Sequence, residues 1–156
     1  MKVVVFDPGG HTGFVTAFYD CSRQAFEVLS YGYFFESDYV GELISDTDVV
    51  VCERITIRAN THGFNPVGVE VMGVVKDYCN RKGILLEWQY PGLMKPALLW
   101  KVVDPGEFSS EHPKDAVCHL AMWLMKKRII SIITGTKVSV KNARYSEVEQ
   151  SRWVRD

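Results

Sequence analysis

The chain has 156 residues, 47% hydrophobic and 24% charged, which fits an ordinary globular domain with a single core. No apolar stretch reaches the ~20 residues of a membrane-spanning helix, and the four cysteines (Cys21, Cys52, Cys79 and Cys118) form no CxxC pair, which argues against a zinc cluster. The net charge of −1 hides an asymmetry: residues 1–125 hold 10 Lys and Arg against 16 Asp and Glu, whereas residues 126–156 hold 8 against 3.

Met1-Lys2-Val3 runs straight into a strand pattern with no small-residue cleavage site, so an unprocessed cytoplasmic protein is expected. Residues 3–7 are a valine run that ends on Asp7 and is broken by Pro8-Gly9-Gly10, the pattern of a buried strand entering a turn. Residues 13–19 and 25–35 follow as two more strands on short connections, predicting an antiparallel meander. A short helix is expected over 38–45. Residues 48–53 repeat the first pattern, a valine run closed by Glu53. Residues 55–65 read as a loop and 66–81 as a helix, with Pro66 in its first turn.

A strand over 84–90, a short helical piece within 91–100, a loop over 101–110 and a second long helix over 113–128 complete the regular pattern. Residues 1–128 are expected to form the main domain, with 129–156 a basic extension of it. Cys52 and Cys118 sit in apolar runs and read as buried free thiols, and Trp88, Trp100 and Trp123 as core. After the meander, strands alternate with helices, which requires parallel crossovers. The expected fold class is α/β: a five-stranded mixed sheet, order 3-2-1-4-5, with helices on both faces.

That order places strands one and four side by side, so Asp7 and Glu53 should lie about 4.8 Å apart. Two ionised carboxylates so close repel, and a cation or a raised pKa must compensate. Mg²⁺ prefers one or two carboxylates, completed by water and phosphate oxygens. The segment EHPKDAVCH adds His112, Asp115 and His119, spaced three and four apart and so on one side of a helix. By itself Asp115 could be a first-turn helix acid and His119 an ordinary surface or core residue. Two strand-end carboxylates with a helix-start His/Asp pair are also the donor set of a two-metal phosphodiesterase.

The stretches DPGGHTGFV, VVVCER and HPKDAVCHLA resemble the motifs of the RuvC-type Holliday-junction resolvases, members of the RNase H-like superfamily. The resemblance spans roughly residues 3–124. It implies a homodimeric, metal-dependent endonuclease that resolves four-way or other branched DNA by paired symmetric phosphodiester hydrolysis. Asp7, Glu53, His112 and Asp115 would be the catalytic and metal-binding residues, with two Mg²⁺ ions per site or Mn²⁺ in their place. Arg54, Arg58, Asn60 and Phe64 after the fourth strand, and Lys95 and Lys101 after the fifth, would contact DNA. The family's glycine-rich stretch with a second lysine is replaced here by PALLWKVVDPG. The dimer interface is expected on the 66–81 helix, where Gly68 and Gly73 permit close approach; packing on the sheet is the other use for them. The basic residues of 126–156 are either a phosphate-binding surface or a solvated or dimer-packing tail.

Other readings compete. The actin-like and sugar-kinase group shares the topology but needs a duplicated domain, for which 156 residues leave no room. A nuclease acting on other branched or RNA-containing substrates, or a junction-binding module without catalysis, fits the same motifs.

Overall fold

The computed structural model describes residues 1–56, 66–92 and 94–148. The chain opens with β1 (Lys2–Asp7), β2 (Thr12–Asp20) and β3 (Ala25–Phe34), an antiparallel meander. Helix α1 (Tyr39–Ile44) leads into β4 (Val49–Glu53), which pairs parallel with β1. Helix α2 (Pro66–Lys82) crosses over to β5 (Leu85–Gln89), parallel to β4. Helix α3 (Met94–Leu99), a 3₁₀ turn at Pro105–Glu107 and helix α4 (Glu111–Lys126) follow. The chain then returns to the far edge of the sheet as β6 (Arg144–Val148), parallel to β3.

The sheet order is β5-β4-β1-β2-β3-β6. The expected order of the first five strands is observed, but among the described residues the sheet has six strands and not five. Residues 144–148 (RYSEV) carry no apolar run and form a largely exposed edge strand, so no periodicity announces them. Residues 129–143 are tied to the core on the way there. Ile130, Val138 and Val140 are buried, Val103 bridges to Val138, and the Glu107 carboxylate accepts hydrogen bonds from Ser139 Oγ and Val140 N.

Strand parity divides the core into two layers. Val3, Val5, Val49 and Val51 point to one face, under α3, α4 and the segment after α4. Val4, Phe6, Val50 and Cys52 point to the other, against α1 and α2. A central parallel strand covered on both faces reads as a continuous apolar run, which is why β1 and β4 are valine-rich. Each buried Val or Phe contributes about 1.5–3 kcal/mol relative to exposure. Cys52 and Cys118 are buried free thiols, as expected. Trp123 is buried and Trp88 packs against the α2 layer, but Trp100, expected in the core, is 43% exposed at the end of α3. Among the described residues no helix is long and apolar enough to cross a membrane.

The two glycines of α2 differ. A Cβ on Gly68 would lie 2.6 Å from Ile55 Cδ1 and 3.3 Å from the backbone of Gly9, so Gly68 seats the helix against the turn after β1. A Cβ on Gly73 would meet nothing within 4 Å. Gly68→Ala is therefore expected to cost about 1–3 kcal/mol through overpacking. Gly73→Ala is expected to stabilise by about 0.5–1 kcal/mol through helix propensity. Urea unfolding of both variants checks the contrast.

Candidate active site

The strand registers generate the site. Asp7 pairs with Gly13 across β1 and β2, and Glu53 pairs with Gln89 across β4 and β5. Phe6 pairs with Cys52, so Asp7 and Glu53 are the next residues along adjacent parallel strands. Gly13, Asp7, Glu53 and Gln89 thus form one row at the carboxyl ends of β1, β4 and β5. They share strand parity with Val5, Val51 and Val15, the residues that face α4. Open α/β sheets bind their ligands at this end.

Helix α4 lies along the row. A Cβ on Gly13 would fall 1.9 Å from the His112 carbonyl oxygen, so only glycine lets the start of α4 come down beside Asp7. Seven residues on, the fully buried His119 reaches the other end of the row. Its Nε2 lies 2.7 Å from Glu53 Oε2 and its Nδ1 2.5 Å from Gln89 Oε1. Gln89 Nε2 donates in turn to the His119 carbonyl oxygen at 3.2 Å. Asp115 sits between His112 and His119 on the same helix face, and its charge acts on both Asp7 and Glu53.

The electrostatics follow from crowding. Burial, a hydrogen bond to Glu53 and the charges of Glu53 and Asp115 push the Asp7 carboxyl up to about 9. Burial also raises Glu53, but the contacts of its carboxylate with His119 and Asp7 outweigh it and leave Glu53 below its usual range. Without a cation, Asp7 is thus the protonated partner and Glu53 the ionised one. Asp115 is raised, chiefly by burial. His112 is lowered by burial and by His11, whose ring stacks on it at 4.7 Å. His11 itself packs against Phe35 at 4.1 Å.

Ligand atoms of Asp7, Glu53 and His119 lie within 4.8 Å of one another, and among the described residues no other group of three or more His, Cys, Asp or Glu side chains is so placed. Two hard carboxylates and an imidazole suit a divalent ion. The expected pairing of Asp7 with Glu53 is therefore present, with Asp115 beside it. The sequence reading gave His119 an ordinary role, but the structure puts it in the cluster, and Gln89 was not singled out. The signals were available: His119 is one helical turn beyond Asp115, and Gln89 ends its strand as Asp7 and Glu53 end theirs. His112 lies at the rim, in the stack with His11.

Of the residues expected to meet DNA, Arg54, Lys95 and Lys101 are exposed. Lys101, with φ +55°, lines a cavity with Leu98, Asp104 and Lys137 that includes none of the clustered carboxylates. Arg58, Asn60 and Phe64 lie outside the described residues. In the basic C-terminal stretch, Lys127 and Lys126 reach Glu87 of β5 at 2.7 and 4.0 Å, so part of that charge is neutralised within the domain.

Comparison with solved structures identifies the architecture. Thermus thermophilus RuvC superposes with a TM-score of 0.63 at 15% identity, over 83% of this chain and 96% of that one. The chain has the RNase H-like fold of RuvC. T. thermophilus RuvC in complex with a Holliday junction substrate gives a TM-score of 0.59 at 14% identity, over 83% and 96% of the two chains. The fowlpox virus Holliday junction resolvase gives 0.57 at 12% identity, over 82% and 99%. No protein-family model and no curated protein matches the sequence.

The raised Asp7 carboxyl has a consequence for stability. A group that binds its proton more tightly when folded contributes stability that is full below its unfolded pKa, near 3.9, and is lost as pH rises through its folded pKa. For Asp7 that loss runs up to about pH 9. Glu53, lowered in the fold, acts in the opposite sense, its contribution fading in acid. In metal-free protein the melting temperature is expected to fall from about pH 5 to about pH 9, and Asp7→Asn to flatten that fall. Mg²⁺ or Mn²⁺ is expected to raise the wild-type melting temperature, and more so at alkaline pH, because the ion displaces the Asp7 proton. Thermal melts of both proteins across pH, with and without the ion, check this.

Proposed function

We propose that this protein is a divalent-metal-dependent endonuclease that resolves four-way DNA junctions by paired phosphodiester hydrolysis. The observation that carries the reading is the Asp7–Glu53 pair, set side by side on adjacent parallel strands under α4. The RuvC fold supports it, because the neighbours that share the fold include complexes with Holliday junction DNA.

In this reading Asp7 and Glu53 would each supply a carboxylate oxygen to the cation, and Asp115 would supply a third carboxylate from α4. A bound divalent ion would polarise the scissile phosphate and lower the pKa of water beside it. His112, held neutral by burial and by its neighbour His11, accepts or delivers a proton at a ring nitrogen on the rim. Arg54 and Lys95 hold DNA phosphates through charge-assisted hydrogen bonds, and Lys101 does so if the DNA extends over the end of α3. Resolving a two-fold symmetric junction takes two sites, so the working unit is a homodimer. With Gly68 already packed against the turn after β1, the face of α2 around Gly73 is left for the partner. The exposed cations of 137–144 add phosphate contacts, so junction binding weakens as salt rises.

The test is cleavage of a labelled synthetic four-way junction with Mg²⁺ or Mn²⁺. The expected result is paired nicks at symmetric positions in wild type. Asp7→Asn should slow cleavage by at least about 1,000-fold, several kcal/mol of transition-state stabilisation, and still bind the junction. Tight junction binding with no metal-dependent cleavage would contradict the reading in favour of a binding module. Cleavage of flaps or RNA-containing duplexes with junctions left intact would contradict the substrate.

A further inference from the structure

The mechanism above leaves one fully buried polar side chain at the site without a task. His119 is completely shielded from solvent, yet both ring nitrogens have partners. One of them is Glu53, which that mechanism assigns to the cation.

The hydrogen-bond network fixes the tautomer. Gln89 Nε2 donates to the His119 carbonyl oxygen, which only accepts, so the amide cannot be flipped without losing that bond. Gln89 Oε1 therefore faces His119 Nδ1, and an amide oxygen only accepts, so Nδ1 carries the hydrogen. In the neutral ring, Nε2 then presents its lone pair to Glu53 Oε2, at 2.7 Å. Two acceptors at that distance need something electropositive beside them. A ring nitrogen that donates to a fixed oxygen while the other faces carboxylates is the arrangement by which metal-ligating histidines are oriented.

We propose that His119 Nε2 is a direct nitrogen ligand of the cation held by Asp7 and Glu53, with Gln89 as the positioning residue that sets its tautomer. The inference rests on the reading that this site holds a divalent cation. It adds that the donor set is mixed nitrogen and oxygen, and it draws on three elements at once: β1 and β4 for the carboxylates, α4 for the imidazole and β5 for its support. An imidazole shifts preference from Mg²⁺ towards transition metals, so the site favours Mn²⁺ over Mg²⁺ more than an all-oxygen site does. A proton shared between His119 and Glu53 would bridge the same two atoms, and the experiment has to separate the two.

The experiment is pulsed EPR on the full chain titrated with Mn²⁺, reading the spin-echo modulation that a directly coordinated ¹⁴N produces. The sequence has four histidines, so a variant carrying His11→Ala, His62→Ala and His112→Ala keeps His119 as its one imidazole. The expected result is ¹⁴N modulation in wild type and in that variant, and its loss in His119→Gln. Gln89→Leu is expected to weaken Mn²⁺ binding by about 10-fold or more. Mn²⁺ bound in an Asp7-dependent way, with no ¹⁴N modulation in the variant that retains only His119, would overturn the ligand assignment and leave the proposed nuclease function standing. Failure of wild type to bind Mn²⁺ at all would overturn both.

Discussion

Two carboxylates held on adjacent strands repel, and everything else at this end of the molecule is arranged around that repulsion. The parallel pairing of β1 with β4 brings Asp7 and Glu53 together, and the pairing belongs to the sheet topology, so the chain cannot relax the contact without losing its core. Burial removes the water that would screen the charges. The metal-free protein answers with a proton on Asp7, whose carboxyl is pushed up to about 9. A cation that replaces this proton turns a strained feature into a binding site.

Helix α4 makes the pair specific. Its approach depends on Gly13, which leaves room for the His112 carbonyl oxygen, and on the small, tightly packed interior built by Ala116, Leu120 and Ala121 against the valines of β1 and β4. One helical face then delivers His112 to the rim, Asp115 to the middle and His119 to the buried end. Opposite, Gln89 holds His119, and Gly68 seats α2 against the turn that follows Asp7. The site is therefore assembled from β1, β4, β5 and α4 and braced by α2, a rigid frame of the kind a preorganised centre requires.

Much of this was legible in the sequence because its strongest signals are local. Valine runs that end in Asp7 and Glu53 declare both strands and their final residues, and the alternation after the meander declares the crossover that makes them neighbours. β6 was not legible: Arg144–Val148 is polar and exposed, and it joins the sheet by backbone pairing to β3 instead of by an apolar pattern. Trp100 misled because aromatic character says nothing about which side of a short helix end faces solvent. His119 was undervalued for a different reason. Its partner Gln89 lies 30 residues away and Glu53 lies 66 away, and only the three-dimensional row reveals that all three meet. For the basic C-terminal stretch the sequence leaves a phosphate-binding surface and a solvated tail both open, and the pairing of Glu87 with its first two lysines is a contact that charge counting along the chain does not register.

The exchange of a proton for a cation at Asp7 is what makes this pair of carboxylates a binding site, and calorimetry tests it most directly. Mn²⁺ binding would be measured near pH 7 in two buffers of different ionisation enthalpy, which yields the number of protons released per ion bound. With the Asp7 carboxyl raised to about 9, wild type is predicted to release close to one proton and Asp7→Asn close to none. Binding by wild type with no proton released would mean that Asp7 is already ionised, and would contradict the account of how this fold holds its two carboxylates together.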